Sequence, residues 1–144
     1  MSEDVETIRR LRVDYEAGDR FHIAVRQHTL SVDQLEADGG EDTAPTPTEL
    51  FVASLASCVA FYARRFLSRH GLPVEGLSVT AEFSMASHPA RVGDVNLQVQ
   101  APAELAPAQQ SALLAVASHC TVHSTLLHPP EVRIELAALT RGAA

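Results

Sequence analysis

A long apolar segment with strong start and stop signals is the tightest constraint on this fold. Thr46-Pro47-Thr48-Glu49 reads as a capping box: Thr46 is the N-cap, Pro47 the first helical residue, and Glu49 reaches back to the N-cap amide. The helix it opens is predicted to run from Pro47 to about His70. Arg64, Arg65 and Arg69 complement the dipole at its end, and Gly71 then Pro73 stop it. The middle of this helix is apolar on nearly every face, so protein must surround it. The uncharged stretch Leu50 to Ala63 is too short to span a bilayer, which favours a buried core helix. One small sheet cannot cover such a helix. The simplest solution is a homodimer that sandwiches two helices between two sheets.

Short alternating stretches flank this segment. Leu11, Val13 and Tyr15, then Phe21, Ile23 and Val25, and more weakly Leu30 and Val32, show the period-two pattern of an antiparallel sheet with one wet face. Residues 34–45 are acidic punctuation with Gly39-Gly40 and Pro45. Beyond the helix, Leu77 to Met85 and Val95 to Val99 alternate as strands, with Pro89 and Gly93 assigned to the joining loop. A second helix is expected from Pro107 to about His119, with Leu113, Leu114, Val116 and Ala117 inward. Cys120 sits at or just past its end. Thr121 to Leu127 reads as a further short helix, and Val132, Ile134 and Leu136 as the last strand. The order is β-β-β-α-β-β-α-α-β, an α+β fold. At 144 residues it is expected to be a single domain, 1–144, comprising an N-terminal β-meander (1–33), a linker (34–45) and a helix-containing core (46–144).

Charge narrows the partners. The net charge is −7, and all eleven basic residues are Arg. Nucleic acids and anionic membrane surfaces both need a positive footprint, so neither is expected as a partner. The acidic start, Met1-Ser2-Glu3-Asp4, is followed by no apolar run of the secretory type, and a cytoplasmic location is expected. Two cysteines in a reducing compartment are either buried packing residues or redox-active thiols.

Both readings remain open for Cys58, in mid-helix, and for Cys120, 62 residues later. A reactive thiol needs a cation or dipole to stabilise its thiolate. No cation adjoins Cys58 in sequence, which makes an Arg of the N-terminal sheet, Arg20 or Arg26, the natural candidate; a solvated turn or strand residue is the competing reading. His119 and His123 bracket Cys120, but a structural zinc site needs four ligands and no second paired motif exists. No metal and no phosphate- or dinucleotide-binding loop is expected.

Two segments together resemble the OsmC/Ohr superfamily of osmotically induced and organic hydroperoxide resistance proteins. In that family a Pro-x-Glu-Leu step opens the central helix and a cysteine follows eight residues after the Leu, as Pro47-Thr48-Glu49-Leu50 and Cys58 do. The segment Cys120-Thr121-Val122-His123-Ser124 is similar to the family's Cys-Pro-Val-Ser-type second motif. The resemblance implies an OsmC-like fold, an antiparallel sheet wrapped around a long central helix in an intertwined homodimer with active sites at the interface. It implies a thiol-dependent peroxidase that reduces organic hydroperoxides in oxidative-stress defence. Cys58 would be the peroxidatic thiol and Cys120 the resolving one. It implies no bound cofactor, only an external dithiol or lipoylated protein as reductant. Phe51, Leu55 and Phe61 would wall a pocket for an apolar hydroperoxide.

The sequence also departs from the pattern. Ohr-type members carry a catalytic Glu ten residues before the first cysteine, where this chain has Thr48. Glu49 is one residue, about 100° of helix, out of place, and its capping role is the stronger reading. Thr121 replaces a Pro and His123 a Ser. Arg20 is the first choice for the family's catalytic Arg, with Arg26 in reserve. These departures point to the OsmC-like branch, where the alternative function is a non-catalytic protein that binds a small apolar ligand in the interface pocket.

Overall fold

The structure, a computed structural model, describes residues 7–138. The described residues form a mixed α+β fold with two antiparallel sheets and three α-helices, in two compact units. The first unit holds the chain up to Ser57 together with Ser78–Gln100; the second holds Cys58–Leu77 and the chain from Ala101 onward.

In the first unit β1 (Arg12–Ala17), β2 (Arg20–Val25) and β3 (His28–Val32) form a meander in that order. The register pairs Val13 with Ile23 and Tyr15 with Phe21, so period-two residues share one face. Tyr15 and Phe21 meet edge to face, with ring centroids 5.5 Å apart. Arg26 and Gln27 make the tight β2–β3 turn, and Arg26 has the positive φ (53°) that such turns require. Its side chain is exposed, which matches the turn-residue reading.

The segment read as punctuation is a built loop around Asp33. This carboxylate is buried and accepts from the Gln34 N–H (2.7 Å), the Thr43 N–H (3.0 Å) and the Thr43 hydroxyl (2.7 Å). The Asp33 N–H donates to the Pro45 carbonyl, and a short 3-10 turn, Glu36–Asp38, lies between. Gly40 passes so close to Gln34 that an added Cβ would collide with its carbonyl oxygen. Donors from Thr43 favour the charged form, and the Asp33 pKa falls from 3.8 to about 2. The loop's stabilisation is therefore complete above pH 3.8 and is lost as pH falls through about 2. Asp33→Asn, measured by urea denaturation, should be less stable than wild type at pH 7, with the gap closing at pH 2. An equal midpoint at both pH values would contradict this.

The capping box forms as read. Thr46 N–H donates to Glu49 Oε1 (2.9 Å), and Glu49 N–H donates to Thr46 Oγ1 (3.1 Å). It opens α1 (Pro47–Arg69), whose Val52 and Leu55 are buried. By length and composition α1, at 23 residues, could cross a membrane, which the shorter Leu50–Ala63 stretch did not suggest; a core helix has the same character. The unit's other sheet pairs β4 (Ser78–Ala86) with β5 (Arg91–Gln100). Gly93 lies inside β5, not in the joining loop, where the register slips between Ser84 and Met85. A Cβ there would come within 2.7 Å of Ala86 Cβ, so the bulge needs glycine.

In the second unit α1 continues to Arg69, and Gly71, at φ 67°, ends it with the Leu72 N–H on the Leu67 carbonyl. Then come α2 (Pro107–Ala117) and α3 (Thr121–Leu127). Val59, Ala63, Phe66 and Leu67 of α1 are buried, as are Leu113 and Ala117 of α2 and Cys120. Leu114 and Val116, expected inward, are exposed, because α2 buries only a narrow stripe. The expected last strand does not form. Residues 131–138 pair with nothing, and Val132, Ile134 and Leu136 stand 73, 94 and 99% exposed. A strand needs a neighbour for its backbone donors and acceptors, and none of the described residues provides one.

Candidate functional site

The two cysteines meet in the second unit. Cys58 projects from α1, half-buried, and lies close enough to Cys120 to act on its thiol through hydrogen bonding and charge. Cys120 follows Cys58 by 62 positions in sequence. Both are free thiols.

Cys120 owes its place to the break between α2 and α3. Ser118 ends α2, and Cys120 adopts the extended backbone (φ −64°, ψ 154°) of an N-cap for α3. Its Sγ then accepts from the His123 N–H at 3.3 Å. Two effects oppose each other at this sulfur. The backbone N–H groups of His123 and Val122 favour a thiolate, while burial and the neighbouring Cys58 disfavour it. Burial wins, and the Cys120 pKa is pushed up from 9.0. At neutral pH Cys120 is a neutral thiol.

The surrounding polar groups fix this turn. His123 Nδ1 lies 2.7 Å from the Ser118 carbonyl, and His119 Nδ1 lies 2.6 Å from that of Ala115. Both imidazoles are therefore anchored to the C-terminal end of α2. Among the described residues no three His, Cys, Asp or Glu side chains gather as a metal site. Tyr62 Oη and Thr121 Oγ1 are 3.1 Å apart, a hydrogen bond from α1 to the residue after Cys120. Tyr62 also borders a shallow groove with Arg65, Phe66, Arg69 and Val116, about 440 Å³ in volume. Phe61 is exposed and packs edge to face on Tyr62.

The remaining candidates belong to the first unit. Arg20 opens β2 and faces Glu16 (4.0 Å) and Glu41 (3.8 Å), and its buried Nε has no partner. Glu49 is held by the Thr46 cap. Leu55 is buried, and Phe51 is partly exposed beside Thr48 and Arg91. Sequence reading did not single out Tyr62 or Asp33. Tyr62 had a signal, a polar-tipped aromatic one helical turn beyond Cys58 in an otherwise apolar helix. Asp33 had none, since its partners are defined only by the loop it closes.

These features define a class: α+β chains with one cysteine on a long central helix and a second at the N-cap of a later helix. Residues 39–135, more than half of the chain, match the family model described as OsmC-like protein, and the chain belongs to that family. Among solved structures it is similar to a Psychrobacter arcticus 273-4 protein described as osmotic stress induced and detoxification response, with a TM-score of 0.77 at 22% identity. That match covers 85% of this chain and 91% of the other. It is also similar to the organic hydroperoxide resistance protein OsmC of Legionella pneumophila (TM-score 0.64, 23% identity, 84% and 91% covered). A third is an OsmC like protein from Mycoplasma pneumoniae (TM-score 0.70, 14% identity, 87% and 91% covered). These likenesses establish the fold. Comparison with curated proteins gives no significant match.

Proposed function

We propose that this chain reduces organic hydroperoxides with its two thiols, as a cytoplasmic enzyme of oxidative-stress defence. The observation that carries the reading is the apposition of Cys58 and Cys120, distant in sequence and adjacent in space. Family membership and the hydroperoxide resistance name of the Legionella relative support it.

The two sulfurs have different roles because they sit differently. Cys58, the more accessible, attacks the terminal peroxide oxygen as thiolate; the O–O bond breaks, the alkoxide leaves and takes a proton, and Cys58 becomes a sulfenic acid. Cys120 then attacks the Cys58 sulfur. The S–S bond forms, the S–O bond breaks, and the Cys120 proton departs with the hydroxyl as water. An external dithiol, such as a lipoylated protein, restores both thiols and is itself oxidised. Arg20 is the candidate for stabilising the thiolate and Glu49 remains a cap. Phe51, Leu55 and Phe61 are the candidate walls for an apolar substrate. No bound cofactor takes part in this scheme. The functional form is a homodimer, supported by apolar side chains that the single chain leaves exposed, among them Val13, Tyr15, Phe61 and Ile134.

Anaerobic thiol counting before and after one equivalent of cumene hydroperoxide tests the reading. Loss of both thiols and an intramolecular disulfide by mass are expected, with hydrogen peroxide slower. Two unreacted thiols would sink it and favour an OsmC-like protein that binds a small apolar ligand.

A further inference from the structure

We propose that the Tyr62–Thr121 hydroxyl pair is a positioning device that holds Cys120 against Cys58, a refinement that rests on the two-thiol reading above. Tyr62 follows Cys58 by four residues on α1, so both side chains leave the same face on successive turns. Thr121 directly follows Cys120. Two neighbouring turns of α1 therefore reach two neighbouring residues of the α2–α3 junction: Cys58 to Cys120, and Tyr62 to Thr121 at 3.1 Å.

The junction needs such a tie. Cys120 lies in a break between helices, where its backbone bonds, N–H to the Ala117 carbonyl and carbonyl from the Ser124 N–H, run along the chain and do not tie it to α1. Where the second motif carries a proline in the family pattern, this chain has a threonine, which leaves φ free and supplies a hydroxyl instead. The second departure, His123, adds a contact across the same junction, where its Nδ1 meets the Ser118 carbonyl. Together the two contacts bracket Cys120. The Tyr62 contact alone crosses to the helix that bears Cys58. Its consequence is a raised effective concentration of one thiol at the other, which governs disulfide formation and not the first attack on peroxide.

Oxidation of the whole protein in glutathione buffers reads this directly, without peroxide. There the dithiol and glutathione disulfide exchange to the protein disulfide and two glutathione thiols. Tyr62→Phe removes only the hydroxyl, and Thr121→Val only its partner. Each is expected to lower the disulfide equilibrium constant by about two- to tenfold, the effect of one net hydrogen bond. The double variant should be no worse than either single one, and Thr121→Ser should restore the wild-type value. With cumene hydroperoxide, dimedone trapping of the Cys58 sulfenic acid should increase in both single variants at an unchanged rate of first oxidation. Constants equal to wild type, additive losses, or a wild-type disulfide that fails to form in glutathione would overturn the proposal. A normal glutathione pattern in a protein inert to hydroperoxides would leave the positioning role standing and refute the peroxidase reading alone.

Discussion

Cys58→Ser is expected to abolish hydroperoxide-dependent oxidation of the protein, whereas Cys120→Ser should still consume one equivalent and then stop. The asymmetry follows from position. Cys58 is half-buried on α1, and Cys120 is fully buried behind the N-cap turn, with its proton held by burial. Without Cys58 no accessible thiol is left to attack the peroxide. Without Cys120 the sulfenic acid forms but has no intramolecular thiol to condense with, so it persists until small thiols or further oxidation remove it. Turnover with a dithiol should fall by at least about a thousandfold in Cys58→Ser, as expected when a nucleophile is removed. A coupled consumption assay, with mass spectrometry of a dimedone adduct on Cys120→Ser, checks both arms. Equal turnover in the three proteins would end the assignment.

Light scattering in solution is expected to give twice the 15.5 kDa chain mass. A single chain leaves apolar side chains in water along two stretches, Leu11, Val13 and Tyr15 near the start and Val132, Ile134 and Leu136 near the end. The last three alternate with Arg133 and Glu135 in strand period, yet meet no partner within the chain. Burying each side chain on a second copy would contribute about 1.5–3 kcal/mol. The pair Ile134→Asp and Leu136→Asp should therefore raise the dissociation constant by at least about a hundredfold. A wild-type monomer at micromolar concentration would refute the dimer, and with it an interface pocket as the substrate site.

Features with local causes were legible in the sequence. The capping box reads from four residues, Thr46 to Glu49, because both of its hydrogen bonds stay within one helical turn. The strand alternation of β1, β2, β4 and β5 is likewise a property of short windows. The proximity of the two cysteines was not legible in this way. It rested on a family resemblance, since spacing alone says nothing about a contact across 62 residues. Errors came where a partner decides the outcome. Val132 to Leu136 has the pattern of a strand but no strand beside it within the chain. Leu114 and Val116 are apolar yet sit on the open side of α2. Gly93 looks like a loop residue and is a bulge, because the register of β4 against β5 cannot be read from either strand alone. Asp33 looks like one more acid in an acidic linker and is the centre of its hydrogen bonding.

The apposition of Cys58 and Cys120 also bears on thermal behaviour. Joining the two sulfurs would close a ring of some sixty residues and remove much of the freedom of the unfolded chain. By chain entropy that closure is worth about 4 kcal/mol. For a domain of this size that corresponds to a melting temperature higher by roughly ten degrees. The oxidised protein would thus be the more heat-resistant form, and each catalytic cycle would carry the chain between a looser and a tighter state. A calorimeter would then report its redox history without any dye or label.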